Sequence, residues 1–148
     1  MILIGFIWYQ IIAMFGLSIG LHRHFAHNQF KTSKLFESIS LFLAMLAFSR
    51  LPLSWIGAHR IHHRFSDTEK DPHSPIHKGF WNVLFNNWKV KKIDRPYVRD
   101  LYKNPRIMFL HKHWLKLHIA TAIITLLISF KVFFIFVLSP LVLGFISY

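Results

Sequence analysis

Residues 2–21, ILIGFIWYQIIAMFGLSIGL, carry no charge and only Gln10 as a strongly polar side chain, and they run directly into His22-Arg23-His24-Phe25-Ala26-His27. At ~1.5 Å per residue, a helix of roughly twenty residues matches the ~30 Å hydrocarbon layer of a bilayer. A signal peptide would carry a basic n-region, which is missing here, so the stretch reads as a membrane-spanning helix. The expected fold is an all-α integral membrane protein in which this helix delivers a cluster of imidazoles to the membrane edge.

A second cluster, His59-Arg60-Ile61-His62-His63, stands 32 residues after His27. The two read as HxxxxH and HxxHH. Imidazole is a good ligand for iron, copper, zinc and nickel. The chain has no Cys, so no thiolate or disulfide chemistry competes with that reading. On a helix, positions i, i+3 and i+4 share one face, so His59, His62 and His63 are expected to point into one pocket. His22 and His27 are five apart, about 140° on an ideal α-helix. They converge only where a helix ends or bends, or serve different metals; His24 and His27 form a rival pair. A lone histidine is most often an ordinary core or surface residue. Five in two tight boxes are not, because buried imidazoles need partners.

Two further apolar regions complete the expected architecture. Residues 115–148 are too long for one span and read as a helical hairpin of two arms, 115–130 and 132–148, with Lys131 at the far interface. Pro140 is expected to kink the second arm and Gly144 to allow close packing. Residues 35–57 permit a span by length, but Glu37, Arg50 and Pro52 argue against one. A crossing there would also put the two His boxes on opposite faces. The stretch is therefore expected as an interfacial or re-entrant helix. The chain then reads as one domain: a span at 2–21, the first His box at 22–34, this helix at 35–57, a segment with the second box and a basic loop at 58–114, and the hairpin, giving about three transmembrane helices.

The 148 residues are 53% hydrophobic and 17% aromatic, with a net charge of +12. Residues 58–114 hold 12 of the 18 Lys and Arg, which places that segment and the His boxes in the cytoplasm by the positive-inside rule. Topology accounts for the charge without a nucleic-acid partner, and no nucleic-acid motif occurs. Lys91 and Lys92 are the best local candidates for an anionic substrate headgroup. Asp67 and Asp71 are placed to accept hydrogen bonds from ligating imidazoles, as carboxylates behind metal ligands do. His73 is a candidate for a similar supporting or substrate contact. Phe80, Trp81, Phe85 and Trp88 suit a membrane interface. His111, His113 and His118 read as interface residues, with His111 and His118 as metal ligands the less favoured alternative.

The quoted boxes, together with Trp55-Ile56-Gly57-Ala58 before the second, Asp71-Pro72-His73-Ser74 and Gly79-Phe80-Trp81, resemble the membrane fatty-acid desaturases of the acyl-CoA/acyl-lipid Δ9 type. The resemblance covers roughly residues 15–90, and the hairpin in outline. It implies two non-haem iron ions on the cytoplasmic side, O₂ as co-substrate, and a double bond placed in a saturated acyl chain. Electrons would come from ferredoxin or cytochrome b5. It also implies His22, His27, His59, His62 and His63 as iron ligands, preferring His22 over His24.

Departures from the pattern qualify that expectation. Family members carry a third box, HxxHH, beyond the hairpin, and a helix before the one leading into the first box. The chain is accordingly expected to be a piece of such an enzyme, lacking part of the ligand set. Gly57-Ala58 replaces the charged pair that animal acyl-CoA desaturases place before the second box, leaving lipid- or carrier-linked chains open as substrates. The alternatives are a sister diiron hydroxylase, against which the Asp-Pro-His-Ser and Gly-Phe-Trp patterns weigh, and an inactive membrane remnant. No HExxH occurs, which argues against a zinc protease.

Overall fold

The computed structural model describes residues 1–84 and 93–146. Every regular element among them is helical, in agreement with the expected class. Helix α1 opens as an ordinary α-helix, Ile2–Ile12, and continues without a break as a π-helix, Ala13–Ala26. Helix α2 is Lys34–Leu46 and α3 is Pro52–Phe65. Two short helices, α4 (Pro75–Lys78) and α5 (Phe80–Leu84), follow. Beyond two 3-10 turns, Arg95–Tyr97 and Leu101–Lys103, comes the long α6, Pro105–Ile128. The last helix, α7, covers residues 130–146.

Helix α2 lies antiparallel along the π-helical half of α1. A Cβ at Gly16 would meet the backbone of Ala44, and one at Gly20 would stand 2.8 Å from Ser40 Cβ. Further up, His24 reaches Glu37. Small residues four apart let two backbones approach closely, the arrangement that replaces hydrophobic driving force where helices meet in lipid. Ser33 starts α2 by accepting the Phe36 N–H at 3.1 Å.

Residues 35–57 are not one helix. Helix α2 stops at Leu46, Phe48 turns the chain with φ 54°, and Pro52 opens α3 at a position where its missing N–H costs nothing. Pro52 thus marks a start rather than a weak point within a helix. From the turn, α3 runs back toward the end of α1 that carries the first box. The stretch goes down for about 20 Å at ~1.5 Å per residue and returns to the same end.

The C-terminal region folds back at Ser129, not at Lys131. Ser129 adopts an extended conformation (φ −173°, ψ 156°), and its hydroxyl caps the next helix by accepting the Val132 N–H. Helix α6 also starts earlier than residue 115. Asn104 caps it, accepting the N–H groups of Arg106 and Ile107, and Pro105 sits at its first position. Both arms return to the α2–α3 turn: Phe48 packs on His118 with ring centroids 4.6 Å apart, and a Cβ at Gly144 would stand 2.6 Å from the Ala47 carbonyl. Gly144 thus allows the close packing expected of it. The stretch Phe134–Leu138, just before Pro140, is π-helical and accommodates the proline without ending the helix. Of the three spans expected, only Ile2–Ala26 is, among the described residues, both long and apolar enough to cross a membrane; Phe130–Phe145 is apolar but shorter.

Candidate metal centre

The π-helix brings the first box together. His27 N–H donates to the His22 carbonyl at 3.1 Å, so residues five apart become stacked neighbours, as residues four apart are in an α-helix. The angular separation expected for an α-helix disappears, and the two rings stand 4.7 Å apart. His24, the rival candidate, turns away. Its ring bonds the Phe30 carbonyl at 3.1 Å and Glu37 at 3.3 Å.

Helix α3 supplies the other half. His22 lies 4.5 Å from His59, and His27 lies 4.6 Å from His63 between ring centroids. His27 Nε2 and His59 Nε2 face each other at 3.1 Å. One ligand atom from each of His22, His27, His59 and His63 falls within 4.8 Å of the others, a four-imidazole nest that could hold a metal ion. Trp55, one turn before His59, stacks on its ring at 5.0 Å and 14°, fixing its plane. Burial, reinforced by His22, His63, His27 and His62, holds the His59 imidazole down to about 3. Burial, then His27 and His62, also lower His63. Both rings are therefore neutral at physiological pH, the form in which imidazole binds a metal.

His62 shares the α3 face but belongs to a second group with Asp71 and His73. Its Nδ1 lies 2.8 Å and 2.9 Å from the two Asp71 oxygens. Asp71 is fully buried and also accepts the Asp67 and His73 backbone N–H groups at 3.0 Å and 2.8 Å. Burial alone would raise this carboxyl, but the His73 amide, the His62 ring and the Asp67 amide more than offset it, and it is held below its ordinary value. With Nδ1 committed to Asp71, His62 presents Nε2 for coordination. The His73 ring lies 5.3 Å from that of His62 and is held down to about 4, chiefly by burial and then by His62.

The other candidates fall differently. The Asp67 side chain bonds no imidazole; that residue contributes its backbone, donating its N–H to Asp71 and accepting from His77 Nε2 at 3.0 Å. Lys91, Lys92, Phe85 and Trp88 lie outside the described residues. His111 and His118 sit on α6 apart from the cluster, and His118 Nδ1 bonds the Trp114 carbonyl of its own helix.

Two supporting residues escaped the sequence reading. Glu37, which counted only against a span, gathers His24, Asn104 and Arg106, with Arg106 Nη2 at 2.6 Å. Arg60, inside the second box, bonds three backbone carbonyls and Asp100. For Glu37 the available signal was a charge embedded in an apolar helix; Arg60 lies among the histidines and Arg64 of a polar stretch and carried no such signal.

A protein helical throughout its described residues, with a polyhistidine cluster able to hold a metal, is the class that fold and site define. The chain is similar to curated fatty-acid desaturases, Δ9 enzymes among them. It is 31% identical over 128 residues to the sn-1 stearoyl-lipid 9-desaturase of Anabaena variabilis, covering 83% of this chain and 46% of that protein. It is 32% identical over 126 residues to the chloroplastic palmitoyl-monogalactosyldiacylglycerol delta-7 desaturase of Arabidopsis thaliana, covering 81% and 34%. Delta-9 acyl-lipid desaturase 2 of Arabidopsis thaliana is 41% identical over 78 residues, covering 53% and 25%. The chain thus spans less than half the length of these curated relatives. No family model and no solved structure matches it.

Proposed function

We propose that this chain carries the first two His boxes of an O₂-dependent acyl desaturase, with His22, His27, His59, His62 and His63 as iron ligands. The observation that carries the reading is the convergence of four imidazoles from two helices, beside a fifth oriented by a buried carboxylate. The donor set fits iron: imidazole suits iron, and nothing softer is present. Bound iron would supply the oxidising power needed to break unactivated C–H bonds, which no side-chain acid or base can do.

The protein's own part is orientation and exclusion of water. The π-helix and α3 hold the ligand nitrogens, Trp55 covers one flank of His59, and Asp71 fixes the tautomer of His62 by accepting its Nδ1–H. An acyl-lipid substrate is supported by the similarity to acyl-lipid desaturases, and the Gly57-Ala58 pair leaves it open. The basic loop with Lys91 and Lys92 would meet its headgroup by charge. Ferredoxin or cytochrome b5 would supply electrons at the cytoplasmic face, where the positive-inside rule puts the boxes. The α2–α3 hairpin would enter the membrane without crossing it.

The test is anaerobic Fe(II) loading of the purified full chain, followed by metal analysis and by product analysis of acyl lipids. At least one iron held per chain is expected, lost in His27→Ala and His59→Ala. A double bond in the product supports desaturation; an added hydroxyl would replace that reading with a hydroxylase. Wild-type chain that retains no iron would refute the metal centre.

A further inference from the structure

We infer that Arg60 is the positioning residue that holds the first His box in register with the second. The inference rests on the proposed metal centre and goes beyond its ligands. Arg60 lies on α3 directly after His59, so it moves with the second box as one rigid piece. Its Nη2 donates to the Phe25 carbonyl at 2.7 Å and its Nε to the Ala26 carbonyl at 3.1 Å. These carbonyls belong to the last turn of the π-helix, directly before His27. The final carbonyls of a helix have no partner within it, and a cation there also meets the negative end of the helix dipole.

The guanidinium is itself anchored from the far side. Nη1 donates to the Tyr97 carbonyl at 2.8 Å and to Asp100 Oδ1 at 2.7 Å, and Nη2 to Asp100 Oδ2 at 2.8 Å. A planar, bidentate pair of this kind fixes direction as well as charge, which a lysine does not reproduce. One side chain therefore joins three segments: the end of the first box, the second box and the turn at Arg95–Tyr97. The result is the 3.1 Å approach of His27 Nε2 to His59 Nε2. A shift of the π-helix end relative to α3 would separate them.

The test uses the full chain with Arg60→Gln, Arg60→Lys and Asp100→Asn, probed without metal and with Co(II), whose visible spectrum reports its ligand geometry. Without metal, the amides of His27, Asn28 and Gln29 are expected to exchange hydrogen faster in Arg60→Gln than in wild type. With Co(II), affinity is expected to fall ~10–100-fold, the usual effect of removing a group that orients metal ligands, with an altered spectrum. Arg60→Lys should recover only part of the loss. Asp100→Asn, which leaves the three carbonyl contacts available, should show a smaller effect of the same sign and keeps the test valid if Arg60→Gln does not fold. Unchanged Co(II) affinity and spectrum in Arg60→Gln overturn the inference, even if exchange accelerates. Wild type that binds no Co(II) removes the metal-centre reading instead, and the exchange of residues 27–29 then judges the clamp alone.

Discussion

At the scale of single residues, the cluster is built from groups held in the state that a metal needs. His59 and His73 are held down to about 3 and about 4, mainly by burial. Their unfolded value is near 6.5, so the unfolded chain binds these protons more readily than the folded one. Their contribution to stability is then complete above pH 6.5 and is lost as pH falls from there toward 4 and 3. Metal-free protein should melt at a lower temperature at pH 5 than at pH 7.5, and equal melting temperatures would contradict neutral His59 and His73 rings. Asp71 permits a second test. Asp71→Asn keeps the shape but leaves one carbonyl oxygen where two carboxylate oxygens accepted from His62, Asp67 and His73. We expect a destabilisation of about 1–3 kcal/mol in thermal unfolding and a ~10–100-fold loss of Fe(II) affinity. Full affinity in that variant would remove Asp71 from any role in orienting His62.

Among the elements, the contact of α1 with α2 sets where the first box stands. A methyl group at Gly16 would fall 2.6 Å from the Leu43 carbonyl carbon and 2.7 Å from Ala44 Cα. These are backbone atoms and cannot rotate aside. Gly16→Ala should gain up to about 1 kcal/mol of helix propensity but lose more from overpacking, about 1–3 kcal/mol, since α2 must move. Gly16→Val should be worse and should also weaken Fe(II) binding, because α2 carries the Glu37 partner of His24. Met14→Leu, on the exposed side of the same helix, is the matched control. Equal unfolding midpoints for the control and Gly16→Val would show that this close approach is unimportant.

For the whole molecule, the testable feature is that the described loops beside both boxes lie at one end. The α2–α3 hairpin goes down and returns, so Gln29, after the first box, and Glu69, after the second, should face the same side of a membrane. The absence of native Cys makes the measurement clean. Single cysteines at Gln29→Cys and Glu69→Cys should react with an impermeant thiol reagent from the same side of sealed vesicles. Labelling from opposite sides would mean that residues 35–57 cross, and that the two boxes cannot share a site. The apolar flanks point the same way: Leu127, Ile128 and Phe130 are 82%, 67% and 60% exposed, a surface suited to lipid.

The sequence by itself determined the helical class, the apolar leading helix and the presence of two imidazole clusters, because apolar length and the HxxHH spacing are local properties. It also carried the likeness to desaturases, since the motifs are contiguous. Local spacing failed where the backbone left the α-helical period: five residues between His22 and His27 looked divergent until the π-helix stacked them. Helix α2 and helix α3 read as one stretch because the break at Phe48 depends on a left-handed backbone that an aromatic residue does not announce. Only the tertiary structure separated His24 from His27, since Glu37 lies 13 residues away in sequence and draws His24 aside. It alone chose Asp71 over Asp67, and it alone revealed Arg60 joined to Asp100 across 40 residues. Partners that far apart leave no period in the chain; they exist only once packing has brought the helices together.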